Sequence, residues 1–169
     1  MYVYWITGLS GTGKTTFARL LHTHLSERMV CKPILLDGDE LREITPEKYG
    51  YQYEDRLKLA MMYSGLCKLL FSQGHTVIIA TVSLFHSVQL HNRNSMSGYF
   101  EIHMDSPSQI LIEHDVKNVY PDSKTKAQNI VGLDIVPEFP KNPDLKIVND
   151  RSKSMAEIFT ETINRIPHP

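Results

Sequence analysis

The stretch Gly8-Leu9-Ser10-Gly11-Thr12-Gly13-Lys14-Thr15-Thr16 places glycines, hydroxyls and a lysine in the order G-x-x-x-x-G-K-T. That spacing suits the binding of a phosphate chain. Gly8, Gly11 and Gly13 allow backbone N–H groups to approach an anion that a Cβ would keep away, with Ser10, Thr12 and Thr16 completing the loop. Lys14 is placed to reach the β- and γ-phosphates, and the Thr15 hydroxyl to bind Mg²⁺. The pattern therefore predicts ATP, or another nucleoside triphosphate, together with Mg²⁺.

Further along, Asp37-Gly38-Asp39 puts two carboxylates directly after the apolar run Pro33-Ile34-Leu35-Leu36, and Arg42 and Arg56 follow. Phosphoryl transfer requires charge neutralisation and positioning more than covalent chemistry, so a lysine, a metal-binding hydroxyl, arginines and a carboxylate are a sufficient set. Asp39 can take the acceptor's proton or position the metal; a helix N-cap preceding Leu41 is its structural alternative. For Arg42 and Arg56 the structural alternative is a solvated salt bridge. Ser83 and Phe85 lie just beyond another apolar run, Thr76-Val77-Ile78-Ile79-Ala80-Thr81.

Such groups must be delivered by strands whose ends share one edge. Tyr2-Val3-Tyr4-Trp5-Ile6 and residues 76–81 are near-continuous apolar segments, as expected for strands covered on both faces. Residues 33–36, 99–104 and 145–148 supply three more. Helical spacing appears after the loop, in Phe17, Ala18, Leu20, Leu21 and Leu25, and again from Glu54 to Gln73 on Leu57, Ala60, Met61, Leu66, Leu69 and Leu70, with Gly74 as the terminating glycine. Met61 and Met62 read as core filler. A short helix is expected over 87–94. Ser106-Pro107-Ser108-Gln109 and Ser154-Met155-Ala156-Glu157 read as capping boxes. The alternation predicts an α/β fold: a doubly wound, mainly parallel sheet with helices on both faces. Ligands bind at the carboxyl edge of such sheets, where Asp37, Asp39 and Ser83 should converge. Residues 44–53 read as an excursion over the site, and about 115–143, with Pro121, Pro137, Pro140 and Pro143 and little periodicity, as a lid.

At 169 residues with a formal charge of −1, the chain fits a single domain spanning 1–169 and shows neither a nucleic-acid footprint nor a membrane-surface patch. It begins on a strand and has no long apolar stretch, so the expectation is a cytoplasmic protein without signal peptide or membrane span. Cys31 and Cys67 lack metal or redox spacing and read as reduced structural residues. The partner expected is a small anionic molecule; oligomeric state is open, a homodimer among the options.

The chain resembles the adenylylsulfate (APS) kinases, which use ATP to phosphorylate the ribose 3′-hydroxyl of adenosine 5′-phosphosulfate. The likeness rests on residues 8–16, on Leu36-Asp37-Gly38-Asp39-Glu40-Leu41-Arg42, on Gly50-Tyr51 with Asp55-Arg56, and on Asp115-Val116-Lys117-Asn118-Val119-Tyr120; Gly132-Leu133-Asp134 and Asn142-Pro143 fit the family's tail. By this resemblance Asp39 is the carboxylate near the acceptor hydroxyl, and Arg42 and Arg56 hold the acceptor's charged groups.

The departures fall on the acceptor half. Where the family has Ser-Pro-Tyr-Arg, this chain has Ser83-Leu84-Phe85-His86, so an arginine is missing; Arg93 either replaces it or lies on the surface. An asparagine that contacts the nucleotide in the family is Leu59 here. In the lid, Lys124 or Lys126 stands in for a family lysine, and an aromatic residue that would face Tyr51 across the adenine has become Ile130. The resemblance extends to a branch that phosphorylates cytidine diphosphoramidate in capsule synthesis. The expectation is thus an ATP-dependent kinase acting on the 3′-hydroxyl of a nucleotide other than APS, with a true APS kinase and a catalytically inactive nucleotide-binding protein as the alternatives.

Overall fold

The computed structural model describes residues 1–45, 49–114 and 131–168. Its elements run β1 (Val3–Thr7), α1 (Lys14–Ser26), β2 (Ile34–Asp37), α2 (Gly38–Ile44), α3 (Tyr53–Ser72), β3 (Val77–Thr81), α4 (His86–Ser95), β4 (Tyr99–Asp105), α5 (Ser108–Glu113), β5 (Leu145–Val148) and α6 (Met155–Thr162), with a closing 3₁₀ turn at Ile163–Arg165. The five strands form one sheet in the order β2-β3-β1-β4-β5, every described pairing being parallel. The doubly wound expectation holds.

The apolar runs explain the layering. β1 is buried along its length, and its residues alternate: Tyr4 and Ile6 face α1 and α6 with Phe17, Leu21, Leu25 and Ile158, whereas Val3 and Trp5 face α3 and α4 with Leu59, Tyr63, Cys67 and Val88. Period-2 side chains in a sheet covered on both faces leave no polar side, which is why the strands read as continuous. Full burial of a residue such as Phe17 or Leu21 contributes roughly 1.5–3 kcal/mol, enough to hold α1 and its loop against the sheet. The register places Thr7 opposite Thr81, and Asp37 opposite Ala80, so β1, β2 and β3 end together. The site must open there.

Several local expectations are corrected. Of the expected α3 face, Ala60 is buried and Leu57, Leu66 and Leu70 pack partly buried against the core, whereas Met61 and Leu69 are exposed, as is Met62; the fully buried residues are Leu59, Ala60, Tyr63, Ser64 and Cys67. The helix carries apolar residues around most of its circumference, so spacing alone does not select the inner face, and Tyr63 and Ser64 are buried with hydrogen bonds to Gly38 O and Asn92 Oδ1. Ser106 is not a cap: α5 has Pro107 at its N-cap without a side-chain bond, and the Ser106 hydroxyl donates to Asn149 O at 2.6 Å. The Ser154 capping box is present. At the end of α3, Gly74 at φ 91° donates to Phe71 O while His75 donates to Leu70 O, completing a Schellman motif. Cys67 is buried and Cys31 exposed, both as free thiols.

Among the described residues no helix is long and apolar enough to cross a membrane. The expected lid core, with Lys124, Lys126, Ile130 and the motif 115–120, lies outside the described residues.

Candidate active site

A cleft of about 470 Å³ opens at the carboxyl edge of the sheet. One side is the loop 8–16. Gly13, the N-cap of α1, sits at φ 95°, and the first helical turn contains no acidic residue, so the positive helix end is directed at the cleft uncompensated by a carboxylate of its own. Lys14 Nζ donates to Leu9 O at 2.7 Å across the loop. Ser10, Gly11, Gly13, Lys14, Thr15 and Thr16 line the cleft. Gly8 and Thr12 do not. Gly8 lies behind the loop, where a Cβ would come 2.1 Å from Met104 O, and Thr12, almost fully buried, donates its hydroxyl to Leu9 O at 2.9 Å. These two shape the loop from within.

The floor is the Asp37-Gly38-Asp39 turn. Asp37, not Asp39, caps α2: its Oδ1 accepts from Asp39 N–H at 2.9 Å, and its Oδ2 accepts from the Thr15 hydroxyl at 2.7 Å. The capping alternative for Asp39 is thereby removed, and Asp39 lies exposed in the first turn of α2 on the cleft wall. Thr15 and Asp37 together form a hydroxyl–carboxylate pair of hard oxygens beside the phosphate loop, a donor set that fits Mg²⁺, which takes one or two protein oxygens alongside phosphate and water.

Arg42 and Arg56 come together as the sequence suggests, but around Tyr51. The Arg42 guanidinium donates to the carbonyls of Tyr49 and Gly50 and lies 4.3 Å from the Tyr51 ring centre; Arg56 donates through Nε to Tyr51 O at 2.9 Å and lies 5.2 Å from the same ring. Burial, then the neighbouring Arg42, lowers the Arg56 pKa. Both arginines line the cleft, whereas Tyr51 is exposed and does not. The cleft is further lined by Leu59 and Ala60, one turn along α3 from Arg56, and by Ser83, Leu84 and Phe85 beyond β3, and Ser83 Oγ pairs with Thr81 Oγ1 at 2.8 Å.

Arg93 does not replace the missing arginine. It forms a salt bridge with Asp144 at 3.0 Å and with Glu101 at 3.3 Å, away from the cleft, with its guanidinium 5.3 Å from the Tyr99 ring. His86 is likewise occupied, its Nε2–H donating to Phe139 O while its backbone N–H donates to Glu138.

Sequence reasoning missed Tyr63, which lines the cleft with its hydroxyl on Gly38 O, and the turn after β5. There Asn149 Nδ2 donates to Thr12 O at 3.1 Å and Arg151 to Gly11 O at 3.0 Å, bracing the phosphate loop. The rule that ligands collect at strand ends flags Asn149, which directly follows Val148; nothing in the spacing flags Tyr63, an aromatic residue in a helix rich in apolar ones.

Comparison with known proteins places this geometry. The model of the adenylylsulphate kinase family matches residues 1–148. The chain belongs to the adenylylsulphate kinase family. The cytidine diphosphoramidate kinase of Campylobacter jejuni is 36% identical over 163 residues, spanning 96% of this chain and 94% of that protein. A probable adenylyl-sulfate kinase of Pseudomonas aeruginosa is 32% identical over 168 residues, 99% of this chain and 78% of the other. Among solved structures, the Mycobacterium tuberculosis APS kinase CysC in complex with AMPPNP and APS superposes with a TM-score of 0.82 at 30% identity, covering 97% of this chain and 96% of that one. This APS-kinase-family member is an ATP-dependent phosphotransferase of P-loop kinase fold.

Proposed function

We propose that this chain transfers the γ-phosphoryl group of ATP to the ribose 3′-hydroxyl of a small nucleotide other than APS, with cytidine diphosphoramidate as the foremost candidate. The observation that carries the acceptor assignment is the lining of the cleft beyond the phosphate loop, where apolar Leu59, Leu84 and Phe85 share the space with Arg42 and Arg56. The charged groups of an acceptor still find two guanidiniums, but an adenine finds no amide at position 59 to read its polar edge. The likeness to the Campylobacter jejuni enzyme over nearly both whole lengths supports the same reading.

In this reading Lys14 and the loop N–H groups hold the β- and γ-phosphates. Asp39 accepts the proton of the 3′-hydroxyl; that oxygen bonds to the γ-phosphorus as the bond to the β–γ bridging oxygen breaks, and ADP leaves. Mg²⁺, when bound, neutralises charge on the phosphates, and Thr15 and Asp37 are the residues that would hold it. Ser83 and Phe85 bound the acceptor's subsite; Lys126 and Ile130 are assigned to its lid side. In this reading the enzyme is cytoplasmic.

A true APS kinase is the second reading, supported by the superposition on the APS-bound Mycobacterium tuberculosis enzyme. A screen of nucleotides for ATP-dependent phosphorylation, with the product's phosphate located on the ribose, separates the two.

A further inference from the structure

The reactive carboxylate stands on a turn that the rest of the fold must hold still. Gly38 lies between Asp37 and Asp39, and its α-carbon is pressed against β3: a Cβ there would lie 3.0 Å from Thr81 Oγ1 and 3.2 Å from Ala80 O. On the other side its carbonyl accepts the Tyr63 hydroxyl at 2.7 Å. Tyr63 belongs to α3, is 3% exposed, and lines the cleft. Burial pushes its phenol up to about 12, so it remains a donor across the working range of an enzyme. The phenol reaches from a helix 25 positions away in sequence to the Gly38–Asp39 peptide, the one that leads directly into Asp39.

We propose that Tyr63 is a positioning residue for phosphoryl transfer, its hydroxyl fixing the Gly38 peptide and thereby the aim of Asp39. The proposal rests on the reading of Asp39 as the group that receives the acceptor's proton. The ring supplies packing between α3 and the sheet, and the hydroxyl supplies direction. Tyr63→Phe separates the two, because it keeps the ring and removes only the donor; the Gly38 carbonyl can turn to water or to the helix instead.

The test is a double-mutant cycle of Tyr63→Phe and Asp39→Asn, with ATP and Mg²⁺ and with APS and cytidine diphosphoramidate each supplied as acceptor. Tyr63→Phe is expected to lower kcat about five-fold, the scale of a single neutral hydrogen bond, while KM for ATP and for the acceptor stays within two-fold. In the Asp39→Asn background the same substitution should cost nothing further, because a residue that acts through Asp39 has nothing left to aim. A full five-fold loss in both backgrounds overturns the proposal and makes Tyr63 a stability residue. A raised acceptor KM with kcat unchanged also overturns it, by making Tyr63 a direct contact. Asp39→Asn with wild-type kcat removes the underlying reading of Asp39, and the proposal with it.

Discussion

The Thr15 hydroxyl donates to the Asp37 carboxylate at 2.7 Å, joining the first turn of α1 to the end of β2. The two groups arrive from separate segments 22 residues apart in sequence. Their adjacency makes the phosphate loop and the acceptor-side turn one unit. Asp37→Asn should therefore raise the Mg²⁺ concentration needed for half-maximal activity by about tenfold while leaving ATP binding without metal near wild type, a second-sphere or ligand carboxylate being worth 10–100-fold in metal affinity. Titration of activity against Mg²⁺ checks it.

Lys14 contributes no core packing and points across the loop to Leu9 O. Lys14→Ala should fold normally, with an unchanged melting temperature within a degree or two, and lose about 10³-fold in kcat/KM, comparable to removing a principal electrostatic group in phosphoryl transfer. Steady-state kinetics alongside thermal unfolding decides between a chemical and a structural role.

Arg42 is held by the carbonyls of Tyr49 and Gly50 and stacks on Tyr51, so its guanidinium is already oriented along the cleft. Arg42→Ala should raise the acceptor KM by about tenfold or more and leave KM for ATP unchanged. Arg42→Lys should not restore it, because an ammonium provides neither the planar fork nor the stacking surface. The measurement is KM for each substrate in the two variants.

Stability should fall in alkali. Burial raises the Cys67 thiol from 9.0 to about 12 and the Tyr63 phenol from 10.0 to about 12. Both groups are neutral acids whose folded pKa lies above the unfolded one. Their contribution is complete below pH 9 and is lost between pH 9 and 12, at up to about 1.4 kcal/mol per pH unit for each group in its window. Urea midpoints across this range should decline, and Cys67→Ala should flatten the part of the slope that begins nearest pH 9.

The phosphate loop, the parallel sheet and the convergence of β1, β2 and β3 are all legible in the sequence, because each follows from local spacing: a glycine pattern, uninterrupted apolar runs and strand ends. The face of α3 is legible only in part. Its apolar residues surround the helix, and Tyr63 is turned inward by packing in the core cluster with its hydroxyl satisfied by Gly38 O in α2. Arg93 shows the same limit from the other direction, since its partner Asp144 lies 51 positions away. The turn after β2 is a further case: the motif 37–39 announces two carboxylates, but only the fold shows that Asp37 takes the Thr15 hydroxyl on one oxygen and caps α2 through the Asp39 N–H on the other. Charge and type are local properties, whereas partnership depends on the packed sheet.

The proposed acceptor half of this cleft, lined by Leu59 and Leu84 together with Arg42 and Arg56, is read as serving a nucleotide other than APS. It is tested most directly by kcat/KM for cytidine diphosphoramidate and for APS under identical ATP and Mg²⁺. Loss of polar and stacking contacts to the adenine is on the scale of 1–3 kcal/mol per base contact, so the cytidine compound is expected to be preferred by about tenfold or more. An APS value in the range of a competent kinase, with the cytidine compound at background, would contradict the account and make this chain an APS kinase.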